Sequence, residues 1–354
     1  MQLFDFASLR EYEKTMLRFY REDPLFKNNK SGTLRIVCNP KGAFYQNTAQ
    51  RMIGVRKNGE ILCQCVLIKH KVHDAVSVSF FEAQQNCAEA VDLMMSAAAD
   101  FGKMHGAKRL EIALDGHCNY GVGFSYGPPE RPPLFGESYN HGYYHDFFIN
   151  GYRKVGFTSY SDSLENIAAK IGAYKNRGDI TIEAADFRHF PDTMKRYTDL
   201  SNAIFTNHRY CFQRDYAEDL ELFSGMKLLL APNNLLFARK AGKDIGFLLM
   251  YPDFNELVQM ASGAGVDTYI RYKIWQRPVR TMKIAEIGVL PEFQTGWAVL
   301  LLFAQAIRQT KQHYPRVENV VSSWILDENI KSRAMVSRIA PNIHKRYAAY
   351  EKQV

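Results

Sequence analysis

Cysteine is scarce in this chain, with six residues in 354, at positions 38, 63, 65, 87, 118 and 211. That density is too low for a disulfide scaffold, and no two CxxC pairs are present to build a structural zinc site. No apolar run reaches the roughly 18–20 residues that a membrane-spanning helix needs. An RNP-like aromatic motif and a basic heptad zipper are also missing, so the common nucleic-acid modules are disfavoured. The opening residues, MQLFDFASLREYEKTM, carry acids and no apolar core of a secretory leader. The expectation is a soluble cytosolic protein of one large domain or two, at about 150 residues per domain.

Hydrophobic residues make up 46% and aromatics 13% of the chain, enough to bury a sizeable core. The formal net charge is +8, which favours anionic partners. The cations are dispersed, however, and the densest stretch holds only Lys331, Arg333, Arg338, Lys345 and Arg346. A polyanionic small ligand fits that distribution better than a nucleic acid.

Apolar spacing at Phe6, Leu9, Met16, Leu17 and Tyr20 predicts a helix within the first 20 residues, ended by Asp23-Pro24. Residues 51–56 and 61–68 read as strands around Lys57-Asn58-Gly59, followed by a strand at 75–81. A helix over 88–105 closes at Gly106, and a strand follows at 109–114. In the second half, Ser163 caps a helix running to Gly178. Strand 181–184, a helix from Pro191 to 205 and a helix at 215–224 come next. Strands 235–240 and 245–251 turn at Ala241-Gly242-Lys243. Strand 283–289, helix 298–312, strand 319–325 and helix 329–339 complete the pattern.

The two halves share a signature. RMIGVRKNGEILCQCVLI at 51–68 and LLFARKAGKDIGFLLM at 235–250 are both apolar strand, Arg-Lys-x-Gly turn and apolar strand, with Arg56-Lys57 answering Arg239-Lys240. A long helix and another strand follow in each. Chance is the competing explanation, since such hairpins are common; duplication of one α/β unit also accounts for the length. Between the halves, residues 120–144 hold five tyrosines and two Pro-Pro pairs, at 128–129 and 132–133. This segment is expected to be extended and packed on the body, either walling a pocket or serving as an ordered connector.

The strongest local signal is the strand, turn and helix start spanning Ile284-Ala285-Glu286-Ile287-Gly288-Val289-Leu290-Pro291-Glu292-Phe293-Gln294-Thr295-Gly296-Trp297-Ala298. Turn amides and the positive end of a helix dipole together cradle phosphate. This segment resembles the acetyl-CoA motif of the GNAT superfamily of N-acetyltransferases, with Val289, Pro291 and Gln294 in register. Ser323-Trp324-Ile325-Leu326-Asp327-Glu328-Asn329 resembles the strand and helix start that follow in that family. The segment leading into Gly151-Tyr152-Arg153-Lys154-Val155-Gly156-Phe157 is similar to GNAT-like bacterial proteins of about this length. Two departures stand out. One residue separates Gln294 from Gly296 where the pattern has two, and the usual tyrosine general acid is replaced by Val336.

The resemblance implies an α/β (α+β) fold of two GNAT-like units, each a mixed, mostly antiparallel sheet flanked by helices. Residues 1–160 would form a degenerate unit, because 82–86 lack a glycine loop, and 161–354 the acyl-CoA-binding unit. It implies transfer of an acyl group from acetyl-CoA, or another acyl-CoA, to a small-molecule or peptide amine. Cofactor contacts would come from Val289, Gln294, Thr295, Gly296, Trp297, Ala298 and Asn329, although Asn329 can equally cap its helix. Glu286 is the candidate general base, with a structural ion pair as its alternative; Tyr347 is the candidate acid. Tyr139, Tyr143 and Tyr144 are expected to line the acceptor site. The competing readings are a donor carried on an acidic carrier protein or tRNA, and a non-catalytic ligand-binding protein. The pairs Cys63/Cys65, His70/His73 and His141/His145 lack the remaining ligands of a metal site, and none is expected.

Overall fold

The computed structural model describes every residue except 127–131, 175–178, 260–261 and 295. The chain divides into two compact units. Unit 1 comprises Met1–Phe157, Val258–Ala264 and Arg346–Val354; unit 2 comprises Thr158–Leu257 and Gly265–Lys345. The first boundary lies near the expected 160/161. The last nine residues fall in unit 1, whereas the sequence reading grouped them with the second half. Among the described residues, no helix is long and apolar enough to cross a membrane.

Unit 1 opens with β1 (Gln2–Asp5), then α1 (Leu9–Arg18), α2 (Asn29–Val37) and α3 (Ala43–Gln46). Strands β2 (Thr48–Lys57), β3 (Glu60–His70) and β4 (Ala75–Ala83) lead to α4 (Ala88–Met104), β5 (Arg109–Ile112) and β6 (Phe124–Tyr126). The sheet order is β1-β2-β3-β4-β5, antiparallel except for the parallel β4–β5 pair. Helix α4 buries Ala90, Met94, Ala98 and Phe101, a stripe near helical period, against Val76, Val78 and Leu110 of the sheet.

Strand β7 (Arg153–Ser163) carries the chain into unit 2. There follow α5 (Leu164–Ile171), β8 (Ile180–Ala184), α6 (Phe190–Ile204), α7 (Tyr216–Ser224), β9 (Leu235–Lys240) and β10 (Lys243–Pro252). Then come α8 (Val266–Tyr269), β11 (Thr281–Val289), α9 (Ala298–His313), β12 (Asn319–Ser322), β13 (Ile325–Leu326) and α10 (Ile330–Ile339). The order β8-β9-β10-β11-β12 repeats that of unit 1, again with one parallel pair, β11–β12. From Arg346, β14 (Asn342–Gln353) returns to unit 1 and pairs with β5.

The repeated hairpins share their turn chemistry. Asn58-Gly59 and Ala241-Gly242 all have positive φ, at 52°, 85°, 47° and 79°. Two such residues in a two-residue loop match the right-handed twist of the flanking strands. Ser163 caps α5 as expected, accepting from the Asn166 amide at 3.1 Å, but the helix ends at Ile171. Helix α9 buries Leu301, Leu302, Phe303, Ala306 and Ile307. Each large side chain there contributes about 1.5–3 kcal/mol, which anchors the helix whose N-terminus matters below.

Candidate functional site

In unit 2, β11 and β12 pair in parallel only from Thr281↔Asn319 to Ile284↔Ser322. Beyond that point β11 continues to Val289 with β10 as its neighbour. A bulge between Leu249 and Met250 leaves Ala285 without an opposite residue and bends β11 where the parallel pairing ends. The two strands therefore part, exposing one backbone edge of β11. The Leu290 amide donates to the Ile245 carbonyl at 2.8 Å, so strand alternation turns the Val289 N–H and C=O to the parted edge. Gln294 Nε2 donates to the Val289 carbonyl at 3.2 Å.

The link from β11 to α9 is eight residues long, at 290–297, and begins with a short 3-10 turn, Pro291–Phe293. The Gly296 amide donates to the Phe293 carbonyl at 3.1 Å. Trp297 occupies the N-cap of α9, 41% exposed, with its ring 5.8 Å from that of Tyr174. The first turn of α9 carries no acid, leaving its amides and dipole suited to an anion. Ala298 is buried in the core beneath. Thr295 lies outside the described residues. Asn329 caps α10, accepting from the Ser332 amide at 3.1 Å.

The matching edge in unit 1 is filled by the protein itself. The β4–β5 pairing runs from Ala75↔Arg109 to Val78↔Ile112, which sets Ala83 level with Val289. The Gln84 amide donates to the Leu62 carbonyl at 2.8 Å, the counterpart of the Leu290 bond. The Ala83 amide donates to the Tyr144 hydroxyl at 3.1 Å, and the Tyr143 hydroxyl donates to the Ala83 carbonyl at 2.9 Å. Tyr144 in turn donates to Glu82 Oε2 at 2.7 Å, beside Tyr20 at 2.6 Å, while Lys30 Nζ meets Oε1 at 2.5 Å. Burial and the Glu82 charge hold the Tyr20 and Tyr144 phenols well above their ordinary pKa. Tyr139 donates to Asp23 Oδ2 at 2.7 Å. Only four residues, 84–87, link β4 to α4.

The tyrosines expected at an acceptor site are thus placed in unit 1 with their hydroxyls engaged there. Tyr347 also lies in unit 1, buried, where it pairs with Ser125 between β14 and β6. Glu286 lies in unit 2, and the structure does not bring these residues into one unit.

Glu286 sits on β11 between the parallel segment and Val289. It lies deep in unit 2 yet keeps accessible surface. The Tyr197 hydroxyl donates to its Oε2, and Ser201 Oγ donates to Oε1 at 3.3 Å. Arg214 Nη2 donates to Ser201 Oγ at 2.9 Å, and Nη1 lies 3.3 Å from Asp219 Oδ1. Thr198 Oγ1 donates to Asp219 Oδ2 at 2.7 Å. Tyr197, Thr198 and Ser201 are presented by α6; their i, i+1, i+4 spacing was a polar stripe on an otherwise core-facing helix, a signal the sequence reading passed over. Burial raises the Glu286 pKa, opposed by Arg214 and the Tyr197 hydrogen bond.

The end of α6 reaches β11 at Gly288, where a Cβ would lie 2.7 Å from Ile204 Cγ2 and 3.0 Å from Phe205 Cζ. From there the loop crosses towards the segment after β12. His208 packs between Phe205 and Trp324, with ring centroids 5.9 and 5.8 Å away, and Arg209 pairs with Glu328 at 3.3 Å. Burial lowers the His208 pKa to about 4, so the ring is neutral near pH 7. Its buried Nδ1 has no hydrogen-bond partner among the described residues.

Three other histidines are engaged elsewhere. His73 Nε2 meets Glu111 at 2.7 Å, His141 Nε2 meets the Phe19 carbonyl at 2.7 Å, and His145 lies between Tyr350 and the Ser125 carbonyl. No group of three or more metal-ligating side chains occurs among the described residues.

No family profile matches the chain. Protein YghO of Escherichia coli (strain K12) is 24% identical over 185 residues, half of this chain and 47% of that protein. The match therefore spans about half the length of this curated relative. Solved structures resemble the whole chain. A tandem GNAT protein from the clavulanic acid biosynthesis pathway, solved without AcCoA, matches with a TM-score of 0.57 and 12% identity, covering 99% of this chain and 98% of that one. A probable N-acyltransferase from Enterococcus faecalis V583 matches at 0.56 and 11%, covering 100% and 72%. The glucosamine N-acetyltransferase region of a fungal multi-domain β-N-acetylglucosaminidase matches at 0.55 and 12%, covering 99% and 38%. The chain has the tandem GNAT fold.

Proposed function

We propose that unit 2 is an acyl-CoA-dependent N-acyltransferase that moves an acyl group, acetyl in the simplest case, to an amine. The observation that carries this reading is the contrast at one backbone edge. In unit 2 the Val289 N–H faces the parting of β11 and β12 beside the α9 N-terminus, whereas in unit 1 the same position is taken by Tyr143 and Tyr144. Unit 1 then serves as a supporting copy.

An acyl-CoA supplies an activated thioester and a phosphate-rich tail. The Val289 amide would hold the pantetheine or thioester carbonyl by hydrogen bonding. The amides of Trp297 and Ala298 would meet phosphate oxygens at the helix N-terminus, with Gly296 leaving room for their approach. Gln294, bonded to the Val289 carbonyl, would fix the turn between these two contacts. Glu286 would take the proton from the attacking ammonium or amine, with Tyr197 and Ser201 fixing its carboxylate. Phe205, His208 and Trp324 would wall the acceptor near that carboxylate.

Isothermal titration with acetyl-CoA, longer acyl-CoAs and free CoA at two salt concentrations tests the donor site. Saturable binding that is lost in folded Gly296→Glu supports it. Absence of binding to all three, with salt-sensitive binding of a carrier protein or tRNA instead, overturns the acyl-CoA assignment. CoA binding with no turnover across a panel of amines favours a ligand-binding role. In an active enzyme, Glu286→Gln is expected to lower kcat about 10²–10⁴-fold.

A further inference from the structure

Two ionic side chains beside Glu286 have no part in the chemistry described above. Arg214 is 7% exposed and Asp219 1%. Both come from the α6–α7 region, and a buried ion pair is costly to desolvate unless it does something that apolar residues cannot. The Arg214 backbone is locked on both sides by one residue of α6. Asn202 Oδ1 accepts from the Arg214 amide at 3.1 Å, and Asn202 Nδ2 donates to the Arg214 carbonyl at 2.9 Å. Asp219 takes one side of the guanidinium and is held by Thr198. The other side donates to Ser201, whose hydroxyl donates onward to Glu286. The chain of contacts therefore runs Thr198, Asp219, Arg214, Ser201, Glu286, with Thr198 and Ser201 on α6, Asp219 on α7, Arg214 between those helices and Glu286 on β11.

We propose that Arg214, clamped by Asn202 and balanced by Asp219, is a positioning residue that keeps Glu286 ready to accept a proton, and that Asp219 limits how strongly it does so. The inference rests on the reading of Glu286 as general base, but its physical content is a coupling among three side chains. Arg214 attracts the ionised carboxylate through a low-dielectric interior and orients it through Ser201. Asp219 acts in the opposite sense, as a like charge near Glu286 and as a competitor for the guanidinium. Two carboxylates and one guanidinium leave the cluster with an excess of negative charge, which suits an acceptor arriving as an ammonium ion.

The remaining groups around Glu286 do not duplicate this role. On α6 the neighbours are the Tyr197 phenol, held protonated by burial and Glu286, and the Ser201 hydroxyl. On α7 the buried Glu218 accepts from the Asp215 amide as part of a helix cap. On β10 the residue opposite Glu286 is Leu249. On β11 the other charge is Lys283, whose ammonium lies over the Tyr251 ring. Across the parting lie His208, neutral near pH 7, and the Arg209–Glu328 ion pair.

The test is a carboxyl titration by carbon NMR on protein labelled at glutamate, with the Glu286 resonance identified by its loss in Glu286→Gln. Arg214→Gln is expected to raise the Glu286 midpoint by about one pH unit or more, and Arg214→Lys to restore most of it. Asp219→Asn, which keeps an oxygen for Thr198, is expected to lower the midpoint. Opposite shifts separate this coupling from general loosening of the fold, which would move both midpoints towards the ordinary glutamate value; thermal melts identify any variant that has unfolded. Unchanged midpoints, or shifts of the same sign, overturn the proposal. The base assignment is tested separately: undiminished acyl transfer by Glu286→Gln would end that reading whatever the titrations show.

Discussion

The hydroxyl of Tyr144 accepts a hydrogen bond from the amide of Ala83 at 3.1 Å, on the strand edge that matches Val289 of unit 2. The same hydroxyl donates to the buried Glu82 carboxylate. Tyr144→Phe leaves an unpaired backbone donor and removes one of three donors from Glu82. A loss of about 1–3 kcal/mol in unfolding free energy is expected, read from urea midpoints. Acetyl-CoA affinity should not change, because the filled edge belongs to unit 1 and the proposed donor site to unit 2. A neutral effect on stability would mean the tyrosine does not plug the edge.

Two glycines of unit 2 should respond in opposite ways to alanine. Gly246 lies opposite Val289, and a Cβ there would sit 2.7 Å from the Gly288 carbonyl oxygen and 2.8 Å from Val289 Cγ2. The nearest obstacle is backbone, so β10 and β11 must separate at Val289, where the proposed donor edge lies. Gly246→Ala is expected to cost about 1–3 kcal/mol or more and to weaken acetyl-CoA binding. Gly225, at the end of α7, has helical φ and ψ, and its nearest obstacle is 3.9 Å away. Gly225→Ala should leave binding intact and add about 0.4–1 kcal/mol of stability.

The repeat and its turn chemistry were legible because hairpins and helix caps are written in neighbouring residues. Asn58-Gly59, Ala241-Gly242 and the Ser163 cap all lie where local spacing placed them, and the helix expected over 215–224 forms as α7. Strand β1 was masked by Phe6, Leu9 and Met16, whose spacing suggested that a helix covered the whole N-terminal segment. The C-terminal strand escaped because its apolar run, Tyr347 to Tyr350, is buried without alternation. Its return to unit 1 is a pairing across more than 200 residues, beyond any local signal. The same holds for the site. Glu286 and Val289 stood out within one motif, whereas Arg214 and Asp219 reach Glu286 only after α6 and α7 fold onto β11.

Asp115 gives unit 1 a distinctive dependence on pH. Burial raises its pKa to about 6, against the opposing pull of Lys30 and the hydrogen bond from the Phe80 amide. The folded value lies above the unfolded one, so the protonated acid is favoured by folding. That stabilisation is fully present below about pH 4 and is lost as pH rises through 6. Asp115→Asn keeps the oxygen that accepts from Phe80 and removes the buried charge. It should therefore be more stable than the parent by about 1–3 kcal/mol at pH 7.5, with the difference vanishing near pH 4. Urea midpoints at the two pH values decide this, and an asparagine variant weakened at both would show that the carboxylate is needed in the fold.

His208 predicts the opposite trend. Its folded pKa is depressed to about 4 because burial between Phe205 and Trp324 disfavours the imidazolium. The unfolded chain, with an ordinary histidine value of about 6.5, takes up a proton first as pH falls. The native state therefore loses stability between about pH 6.5 and 4, by up to about 1.4 kcal/mol per pH unit. Other groups titrate in the same window, so the informative quantity is the difference from His208→Gln, which cannot take the charge. The parent should lose stability faster than the variant on going from pH 7.5 to 5. Because the folded ring stays neutral down to about pH 4, its charge should not alter acceptor KM between pH 7.5 and 5. Parallel loss in both proteins would show that His208 is open enough to solvent to titrate normally, and the aromatic wall over the β11–β12 parting would then be looser than its ring spacings indicate.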